Sequence, residues 1–487
     1  MTGDGRTTRD ERTPNIAAVG AYAPRFRISA EEFTEAWGQF HAAGVNEKAV
    51  PDADEDALTM AYEAATRALD AAGTPDVSFL AFASTTPPMA EEDVTARLGG
   101  MLDVPDDATR HVFTGSTRAG TRALIAGLAA GPWDDGVGVV VAADCPRGEP
   151  DSAEDHAAGA GAAAFVLSDD GPVSIDGQAE YTTEFPGTRF RETGDANVEG
   201  LGVTSYDREA FSETLAGAVG GLEADVEAVD AAAVQAPNGK LPYRAAGALG
   251  VGIDEIRAGA LVHELGDTGA ASVPLSLAKA LADGHERILA ASFGSGAGAD
   301  ALLVSRNDDV PVSLEIDGDE PVSYAEYLRL RGDLTSGPPS GGGAYVSVPS
   351  WQRTLDQRHR LIAGKCPDCG ALNFPPEGAC NDCNSLVEYE SVKLTGEGTV
   401  EAVTTISQGG APPEFAEQQA ESGDFDVAVV SLTGPDGGEA SVPAQVAGTE
   451  PGTLEIGDPV ATTMRRIYTQ EGVTRYGFKI GPHAGQF

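Results

Sequence analysis

The sequence predicts a layered α/β region followed by a zinc ribbon and a small β-barrel, and three observations support this. Short apolar runs that suit buried strands alternate with alanine-rich stretches that suit helices through most of the chain. Two C-x-x-C pairs come next, and the C-terminal part alternates apolar and polar residues between glycine-rich turns. A chain of 487 residues is also too long for one core, so we expect two or three domains.

The α/β pattern occurs twice. The first round contains IAAVGAY, DEDALTMAYEAATRALDAAG and SFLAFAS, and the second contains AVDAAAVQAP, SLAKALADG and ILAASF. The rounds end on similar stretches, GAGAAAFVL at 159–167 and GAGADALLV at 296–304. The sequence therefore predicts a duplicated unit.

The turn FTGSTRAGT, residues 113–121, precedes a helix predicted from Ala119 to Ala130. Small and hydroxyl-bearing residues crowd this turn, a composition that aims backbone N–H groups and one side chain into a cavity. We interpret the turn as the candidate position of a nucleophile, although it contains no cysteine.

Four cysteines have the spacing of a metal-binding site. Each C-x-x-C pair places two thiolates on one tight turn, and the ten residues between the pairs allow a tetrahedral zinc site. The predicted ligands are Cys366, Cys369, Cys380 and Cys383. All four positions are filled by protein, so we expect a structural zinc ion, with redox dithiols as the alternative.

The segment after the cysteines predicts about five short strands, which fit a small barrel of the oligonucleotide/oligosaccharide-binding (OB) type. Nucleic-acid barrels carry basic grooves and exposed aromatic residues. Here acidic residues outnumber basic ones and aromatic residues are few. We therefore expect no nucleic acid as a partner.

The charge is strongly negative, with 76 acidic residues against 32 basic ones and a formal net charge of −44. Such a surface repels itself at low ionic strength, and molar salt screens charges over roughly 3 Å. We interpret this as adaptation to a high-salt cytosol, a halophilic protein; an acidic protein of ordinary cytosol is the alternative.

No stretch of the sequence predicts a membrane segment. A spanning helix needs about 20 apolar residues, and the chain contains no such run. Its N-terminus is polar, without the apolar core of a signal peptide, so we expect a cytoplasmic protein. The predicted divisions are a disordered tail 1–13, α/β halves 14–172 and 173–335, a linker 336–350, a helix with the zinc ribbon 351–390, and the barrel 391–487.

Specific motifs within residues 14–335 resemble archaeal hydroxymethylglutaryl-CoA synthase, of the thiolase superfamily. They are AVGAYAPRFRISAEEFTEAWG, EKAVPDADEDALTMAYEA, GAGAAAFVL, APNGKLP, GDTGAASVPLSLAKAL, SFGSGAGADALL and SYAEYLRLRG. The resemblance implies the five-layered αβαβα thiolase fold, usually dimeric. It also implies acyl-CoA as ligand or substrate.

The C-terminal part, about residues 345–487, resembles the acyl-CoA-associated OB-fold proteins called DUF35. The matching stretches are PSWQRTLDQRHRLIAGKCPDCG, FPPEGACNDC, GEGTVEAVTTI and YGFKIGPH. Archaeal synthases of this kind act beside a thiolase, joined through a separate DUF35 protein. The resemblance therefore implies a homodimer, a hetero-oligomer with a thiolase, or both, with the bridging module fused to this chain.

The same resemblance places the family's reacting groups on residues of different chemistry. The cysteine nucleophile falls on Thr117, the glutamate that moves protons falls on Thr85, and the histidine that positions the second substrate falls on Gln235. The family's asparagine falls on Asp267. A hydroxyl needs an adjacent base to attack a thioester, and glutamine cannot take a proton.

Two residues are candidates for restoring the lost chemistry. Ser116 becomes the nucleophile if the alignment shifts by one position, and His263 lies near the loop of Asp267 and is a candidate base. Cys145 ends an apolar strand distant from the turn in sequence, and we interpret it as a buried structural cysteine.

The candidate CoA contacts are cationic and glycine residues. Lys240 and Arg244 provide positive charge that a CoA phosphate needs in so acidic a protein, and Arg118 adds to it; a solvated surface charge is the alternative for each. Gly294 and Gly296 lie in a loop that borders the family's active site, where missing side chains let a thioester approach the backbone. Close helix–strand packing explains these glycines equally well.

Two hypotheses follow. The favoured one is a catalytically degenerate subunit that handles acyl-CoA and partners a catalytic thiolase or synthase through its OB-fold module. The alternative is an active acyltransferase or synthase that forms a carbon–carbon bond through Ser116 or Thr117.

Overall fold

The computed structural model describes residues 13–133, 136–224, 226, 228–334, 347–407, 409, 411–412 and 415–483. The predicted tail (but for residue 13) and most of the predicted linker lie outside these ranges. The chain divides into two compact units, and the second unit is discontinuous. The first comprises Met1–Val50, Met60–Gly99 and Val104–Pro321, and the second comprises Pro51–Thr59, Gly100–Asp103 and Val322–Phe487.

The α/β region contains thirteen strands and eleven helices among the described residues. The strands are β1 (Asn15–Tyr22), β2 (Phe26–Ser29), β3 (Glu47–Val50), β4 (Val77–Ala83), β5 (Thr109–Phe113), β6 (Val137–Asp144), β7 (Gly161–Ser168), β8 (Val173–Tyr181), β9 (Ala231–Val234), β10 (Arg287–Gly294), β11 (Gly298–Arg306), β12 (Val312–Glu315) and β13 (Glu320–Pro321). The helices are α1 (Ala30–Trp37), α2 (Ala57–Ala71), α3 (Val94–Met101), α4 (Ala119–Ala130), α5 (Ala153–Ala157), α6 (Thr204–Gly220), α7 (Leu241–Arg244), α8 (Ala246–Leu249), α9 (Ile253–Gly259), α10 (Val262–Leu265) and α11 (Ser272–Ala282).

The main sheet confirms the predicted duplication. Its strand order is β5-β4-β6-β7-β1-β8-β11-β10-β9. In the first half, β4 pairs with β6 in parallel, and β7 pairs antiparallel with both β6 and β1. In the second half, β9 pairs with β10 in parallel, and β11 pairs antiparallel with both β10 and β8. The halves meet through a single pairing of Ile16 with Val173. The two similar sequence stretches form the equivalent strands β7 and β11.

Helices α4 and α11 form the inner helical layer. Both contribute buried residues to the core that they share with the sheet, and they contact each other as well as strands of both halves. Gly120 permits this close approach, because a Cβ there would lie 2.8 Å from the side chain of Pro274 in α11 and 2.3 Å from the carbonyl oxygen of Ala270 just before it. The helix predicted from Ala119 to Ala130 has those limits in the structure.

The second unit contains the zinc ribbon and the barrel. Its elements are α12 (Tyr324–Leu330), α13 (Val348–Arg353), α14 (Leu355–Arg360), β14 (Ile362–Lys365), β15 (Leu372–Asn373), β16 (Glu390–Lys393), β17 (Glu397–Ile406), α15 (Ala416–Ser422), β18 (Phe425–Thr433), β19 (Glu439–Gln445), β20 (Pro459–Gln470) and β21 (Val473–Pro482). The last five strands pair in the order β19-β18-β17-β20-β21. A bridge between Val446 and Ile480 brings the edge strands together, so the sheet is a nearly closed barrel, as predicted.

An acidic segment from the N-terminal part of the chain belongs to the second unit. The carboxylate of Asp54 accepts a hydrogen bond from Lys479 at 2.6 Å, and Asp56 accepts one from the hydroxyl of Tyr476 at 2.7 Å. Burial opposes ionisation of Asp54, but Lys479 and Arg465 outweigh it and hold the pKa of Asp54 below its ordinary value.

No helix of the described residues is both long and apolar enough to cross a membrane.

Candidate active site and metal centre

The turn before α4 places Thr117 at the wall of a cavity. Gly115 gives the turn a backbone conformation with φ of +81°. The hydroxyl of Thr117 donates a hydrogen bond to the carbonyl of Phe293 at 2.7 Å and accepts one from the N–H of Ser295 at 3.3 Å. No carboxylate or imidazole of the described residues hydrogen-bonds this hydroxyl. Its proton is therefore directed at a carbonyl, which cannot act as a base.

Ser116 lies beside Thr117 with a buried hydroxyl oxygen that has no hydrogen-bond partner among the described residues. The glycine loop explains the close packing here. A Cβ on Gly294 would come within 2.6 Å of the Ser116 Oγ and of the Arg118 side chain. Gly296 has a φ of +98°, a conformation that other residues rarely adopt.

The cavity has a volume of about 300 Å³ and is built from loops of both halves of the α/β region. Three positions singled out from the sequence, Thr117, Gln235 and Asp267, line it together. Arg189 and Arg244 also line it. The structure therefore gathers into one cavity residues that are far apart in the chain.

Gln235 and Asp267 are joined by hydrogen bonds through Gly269. The Nε2 of Gln235 donates to the carbonyl of Gly269 at 2.9 Å, and the N–H of Gly269 donates to Asp267 Oδ1 at 2.9 Å. The Nη1 of Arg189 forms an ion pair with Asp267 Oδ2. Sequence reasoning missed Arg189, although the pair of arginines in TRFRE stands out in a chain with so few basic residues.

Thr85 lies outside the residues that line this cavity. Its hydroxyl donates to the carboxylate of Asp144 at 2.6 Å. Asp144 is fully buried and also accepts hydrogen bonds from the hydroxyl of Ser84 and the N–H groups of Thr86 and Ala270. A carboxylate that accepts so many hydrogen bonds has a structural role, because it connects the segment of Thr85 to that of Ala270. In the sequence, Asp144 stands out as the one acidic residue of the apolar stretch VGVVVAAD.

His263 is engaged away from the cavity. Its Nδ1 lies 2.5 Å from the carbonyl of Gly44, and its Nε2 lies 2.7 Å from the hydroxyl of Tyr243. Because a carbonyl only accepts, Nδ1 carries the proton and Tyr243 donates to Nε2. Burial raises the pKa of Tyr243, which keeps that hydroxyl protonated. His263 is not among the residues that line the cavity.

The predicted cations have different environments. Lys240 and Arg244, at the two ends of the short helix α7, are exposed. Arg118 is buried, and its guanidinium pairs with Glu180 and, at 2.9 Å, with Asp300. Burial raises the pKa of Asp300, and the charge of Arg118 opposes this rise.

Cys145 follows β6 and is half-buried. Its sulfur lies 3.7 Å from the hydroxyl of Thr86, and Cys145 is not among the residues that line the cavity.

The four predicted ligands converge at a candidate metal centre. The sulfurs of Cys366, Cys369, Cys380 and Cys383 all lie within 4.8 Å of one another. Gly370 and Asn384 end the two knuckles with φ of +80° and +61°, and their N–H groups donate to the carbonyls of the first cysteine of each pair.

The chemistry of these sulfurs fits a zinc ion. Hydrogen bonds from the backbone N–H groups of Cys383 and Asp382 lower the pKa of Cys380, whereas burial and the three neighbouring thiols raise the pKa of Cys369. A bound cation would favour the thiolate form of all four sulfurs. Four thiolates without an open position are typical of a structural zinc site. When bound, zinc would cross-link the two knuckles.

The barrel has a separate cavity of about 500 Å³. Apolar side chains dominate its lining, among them Phe374, Phe425 and Phe478. The amide of Gln445 also lines it, and neither the oxygen nor the nitrogen of that amide has a partner among the described residues.

Comparisons with known proteins agree with this architecture. Residues 353–388 match the family described as ChsH2, rubredoxin-like zinc ribbon domain. The match to the structure of MvaS in complex with 3-hydroxy-3-methylglutaryl coenzyme A covers 69% of this chain and 95% of the MvaS chain, with a TM-score of 0.57 at 20% identity. The 3-oxoacyl-(acyl carrier protein) synthase III, FabH, from Pseudomonas aeruginosa PAO1 covers 62% and 100%, with a TM-score of 0.54 at 17% identity. The first unit therefore has the thiolase-like fold.

Curated relatives define the family. Hydroxymethylglutaryl-CoA synthase from Archaeoglobus fulgidus is 32% identical over 341 residues, which cover 65% of this chain and 98% of that protein. The enzyme of the same name from Methanocaldococcus jannaschii is 30% identical over 340 residues, with coverage of 65% and 98%. The chain belongs to the hydroxymethylglutaryl-CoA synthase family, and it carries in addition a zinc ribbon and a barrel.

Proposed function

We propose that this chain binds acyl-CoA thioesters but does not condense them by itself, and that it serves a catalytic thiolase or synthase as a partner subunit. One observation carries the proposal: the hydroxyl of Thr117 donates to the carbonyl of Phe293, and no base of the described residues contacts it. A threonine hydroxyl without a base is a poor nucleophile towards a thioester.

The other two family positions support the same conclusion. Gln235 occupies the position of the histidine, and its amide has no proton acceptor of useful basicity. Thr85 occupies the position of the glutamate and is bonded to the buried Asp144. The methyl group of an acetyl thioester loses a proton only to a placed base, so condensation is not available to the chain alone.

Free CoA released from acetyl-CoA and acetoacetyl-CoA tests this proposal. A thiol assay in molar KCl should show no release above the protein-free rate. Steady release that Thr117→Val or Ser116→Ala abolishes would establish the second candidate, an active acyltransferase. The unpartnered, buried Ser116 hydroxyl is the observation that favours that candidate.

Lys240 and Arg244 are the proposed CoA contacts. Both are exposed, neither has an ion-pair partner among the described residues, and Arg244 lines the cavity. Each of the variants Lys240→Gln and Arg244→Gln should weaken CoA binding roughly threefold to tenfold, by removing one charge-assisted contact to a phosphate. Calorimetric titration with CoA measures this.

Arg257→Gln is the matched control for these two variants. Arg257 is also exposed, but it pairs with Asp254 and does not line the cavity. Equal affinity of wild type and both test variants would remove Lys240 and Arg244 from the site. We do not include Arg118 among the phosphate contacts, because its charge is already neutralised by Glu180 and Asp300.

The ribbon and barrel are the proposed bridge to the partner. The apolar barrel cavity of about 500 Å³ supports a role in sheltering an acyl chain. Affinity purification of the full chain from native extract in molar salt should recover a thiolase or synthase. Recovery of this chain alone would contradict the partner role.

A further inference from the structure

Two arginines of the second unit lie against the same buried tryptophan. The guanidinium carbon of Arg358 lies 4.2 Å from the ring centroid of Trp351 and that of Arg475 lies 5.0 Å from it, so the two carbons are no more than about 9 Å apart. Trp351 and Arg475 are each 6% exposed, and Arg358 is half-buried. The indole ring stabilises both cations, but it does not satisfy the hydrogen-bond donors of a guanidinium.

Neither guanidinium pairs with a carboxylate of the described residues, although the chain has 76 acidic residues against 32 basic ones. The Nε of Arg358 donates to the hydroxyl of Thr354 at 3.0 Å, and its two terminal nitrogens have no partner in the described part of the chain. Burial and the like charge of Arg475 lower the pKa of Arg358, while Tyr468 opposes them. Because an unpaired cation in a partly buried place is costly, this arrangement favours an anion from outside the chain.

Arg358 also lines the apolar cavity of the barrel, which has a volume of about 500 Å³. Aromatic rings lead from Trp351 to the same cavity. Tyr468 meets Trp351 edge-on at 6.2 Å, and Phe415, which lines the cavity, meets Tyr468 edge-on at 5.9 Å. Among the described residues, no carboxylate and no second cation line this cavity. Arg358 is therefore one positive charge at the wall of an apolar space.

These features specify two parts of a ligand. The apolar lining favours an alkyl chain, and the guanidinium favours a carboxylate, which it can bind through two parallel hydrogen bonds. The phosphates of a CoA thioester are separated from its acyl group by the pantetheine arm. A thioester with its acyl chain in the cavity would thus present a neutral carbonyl to Arg358, whereas a fatty acid carries its charge directly on the chain.

We propose that the barrel cavity binds the anion of a free fatty acid, with the alkyl chain inside the cavity and the carboxylate on the terminal nitrogens of Arg358. Arg475 adds a second positive charge nearby and need not touch the ligand. The inference rests on the proposed sheltering of an acyl chain by the barrel and adds the chemistry of the head group.

Calorimetric titrations of the full chain in molar KCl at pH 8 test the inference. The probes octanoate, octanol and methyl octanoate share the length of the apolar chain and differ in the head group. Octanoate should bind about tenfold more tightly than either neutral probe, the gain expected from one charge-assisted contact. From hexanoate to octanoate the affinity should rise roughly threefold to fourfold for each added methylene, because each one is buried in the cavity.

Substitutions of the two arginines locate the site. Arg358→Met should abolish the preference for octanoate over octanol and leave octanol binding unchanged, and Arg358→Lys should keep part of the preference because it keeps the charge. Arg475→Met should weaken octanoate binding by a smaller factor, about threefold. Arg360→Met is the matched control, since Arg360 lies on the same helix α14, pairs with Asp103 and Asp356, and does not line the cavity. Thermal unfolding checks that each variant is folded.

The outcomes separate the inference from the function on which it rests. Equal affinity for octanoate and the two neutral probes would overturn the carboxylate assignment and leave the sheltering of an apolar chain intact. A preference that survives in Arg358→Met, or that is lost equally in Arg360→Met, would also overturn the assignment. Failure of every probe to bind would overturn both. Loss of the preference in Arg358→Met, with its retention in Arg360→Met, supports the inference.

Discussion

His156 shows how a buried ring couples stability to pH. It is fully buried, its Nδ1 accepts the N–H of His41 at 2.9 Å, and its ring stacks on that of Phe40. Burial lowers the pKa of His156 to about 4, with Lys48 and His41 adding to the effect against the opposing carboxylates of Asp155 and Asp151. The ring is therefore neutral in the folded protein near neutral pH.

We predict that the neutral, buried imidazole of His156 makes the free energy of unfolding fall as the pH is lowered. Below pH 6.5, the ordinary pKa of histidine, the imidazole of the unfolded chain is protonated, whereas that of the folded protein stays neutral down to about pH 4. The free energy of unfolding therefore falls across this pH range. The loss should reach on the order of 2–3 kcal/mol. Urea unfolding at pH 7 and pH 4.5 measures it.

The variant His156→Asn keeps an acceptor for the N–H of His41 and cannot be protonated. Its stability should fall less between pH 7 and pH 4.5 than that of the wild type, by about 2 kcal/mol. His111→Asn, on the exposed strand β5, controls for loss of an imidazole as such. Identical pH dependence of wild type and His156→Asn would show that this ring does not carry the effect.

At the scale of elements, the zinc ribbon couples metal to local folding. The four cysteines lie in the connections between the ribbon strands β14, β15 and β16. Leu372 and Phe374 of the ribbon pack against the core of the barrel. We predict that a chelator exposes backbone amides of the ribbon and loosens the barrel while β1–β12 keep their protection, because the thiolates lose their common ligand. Hydrogen exchange followed by mass spectrometry resolves the two regions.

Cys369→Ser, which changes an exposed ligand, should reproduce the effect of the chelator, and Cys145→Ser should not. Loss of protection throughout β1–β12 on chelation would contradict the independence of the ribbon from the α/β sheet.

The elements were predictable from the sequence to different degrees. Three features follow patterns that extend over only a few residues. They are the helix after the turn at residues 113–121, the duplicated strands and the four cysteines, predicted respectively from glycine placement, hydrophobic period and spacing. The position of Asp144 at the end of the apolar stretch VGVVVAAD is visible in the sequence, but its contacts could not be predicted, because its partners Thr85 and Ala270 come from distant segments. The discontinuity of the second unit, including the bond of Asp54 to Lys479, has the same origin.

The candidate site was predicted in part. Thr117, Gln235 and Asp267 were identified through motifs and share one cavity. Arg189 was not, because its importance depends on a pairing with Asp267 that only the folded chain creates. His263 was a reasonable candidate by proximity in sequence, but its two ring nitrogens are engaged by Gly44 and Tyr243.

At the scale of the whole molecule, the net charge of −44 predicts a strong dependence of stability on salt. Mutual repulsion among carboxylates destabilises the compact state, and molar salt screens it. We predict that the melting temperature rises by more than about 10 °C between 0.1 M and 2 M KCl, since even a few kcal/mol shift the melting temperature of a domain by several degrees.

Circular dichroism melts in KCl and in choline chloride of equal concentration check this prediction. A similar rise in both salts supports screening, and a rise in KCl alone points to specific binding of potassium. A melting temperature that does not change in either salt would contradict the hypothesis, drawn from the charge of the sequence, that the protein is halophilic.

The central claim is that a thiolase-like cavity is retained while its nucleophile lacks the chemistry to take an acyl group. Intact mass after incubation with acetyl-CoA tests it most directly, with Thr117→Cys as the positive control. A thiol there lies at the start of α4 and near the N–H of Ser295, which favours its thiolate. Ser116→Cys is the matched neighbour, because the N–H of Ser295 is directed at residue 117 and not at residue 116.

We predict that Thr117→Cys gains the mass of one acetyl group, while the wild type and Ser116→Cys do not. A wild-type protein that becomes acetylated on Ser116 or Thr117, and then loses the acetyl group in repeated turnover, would contradict the central claim.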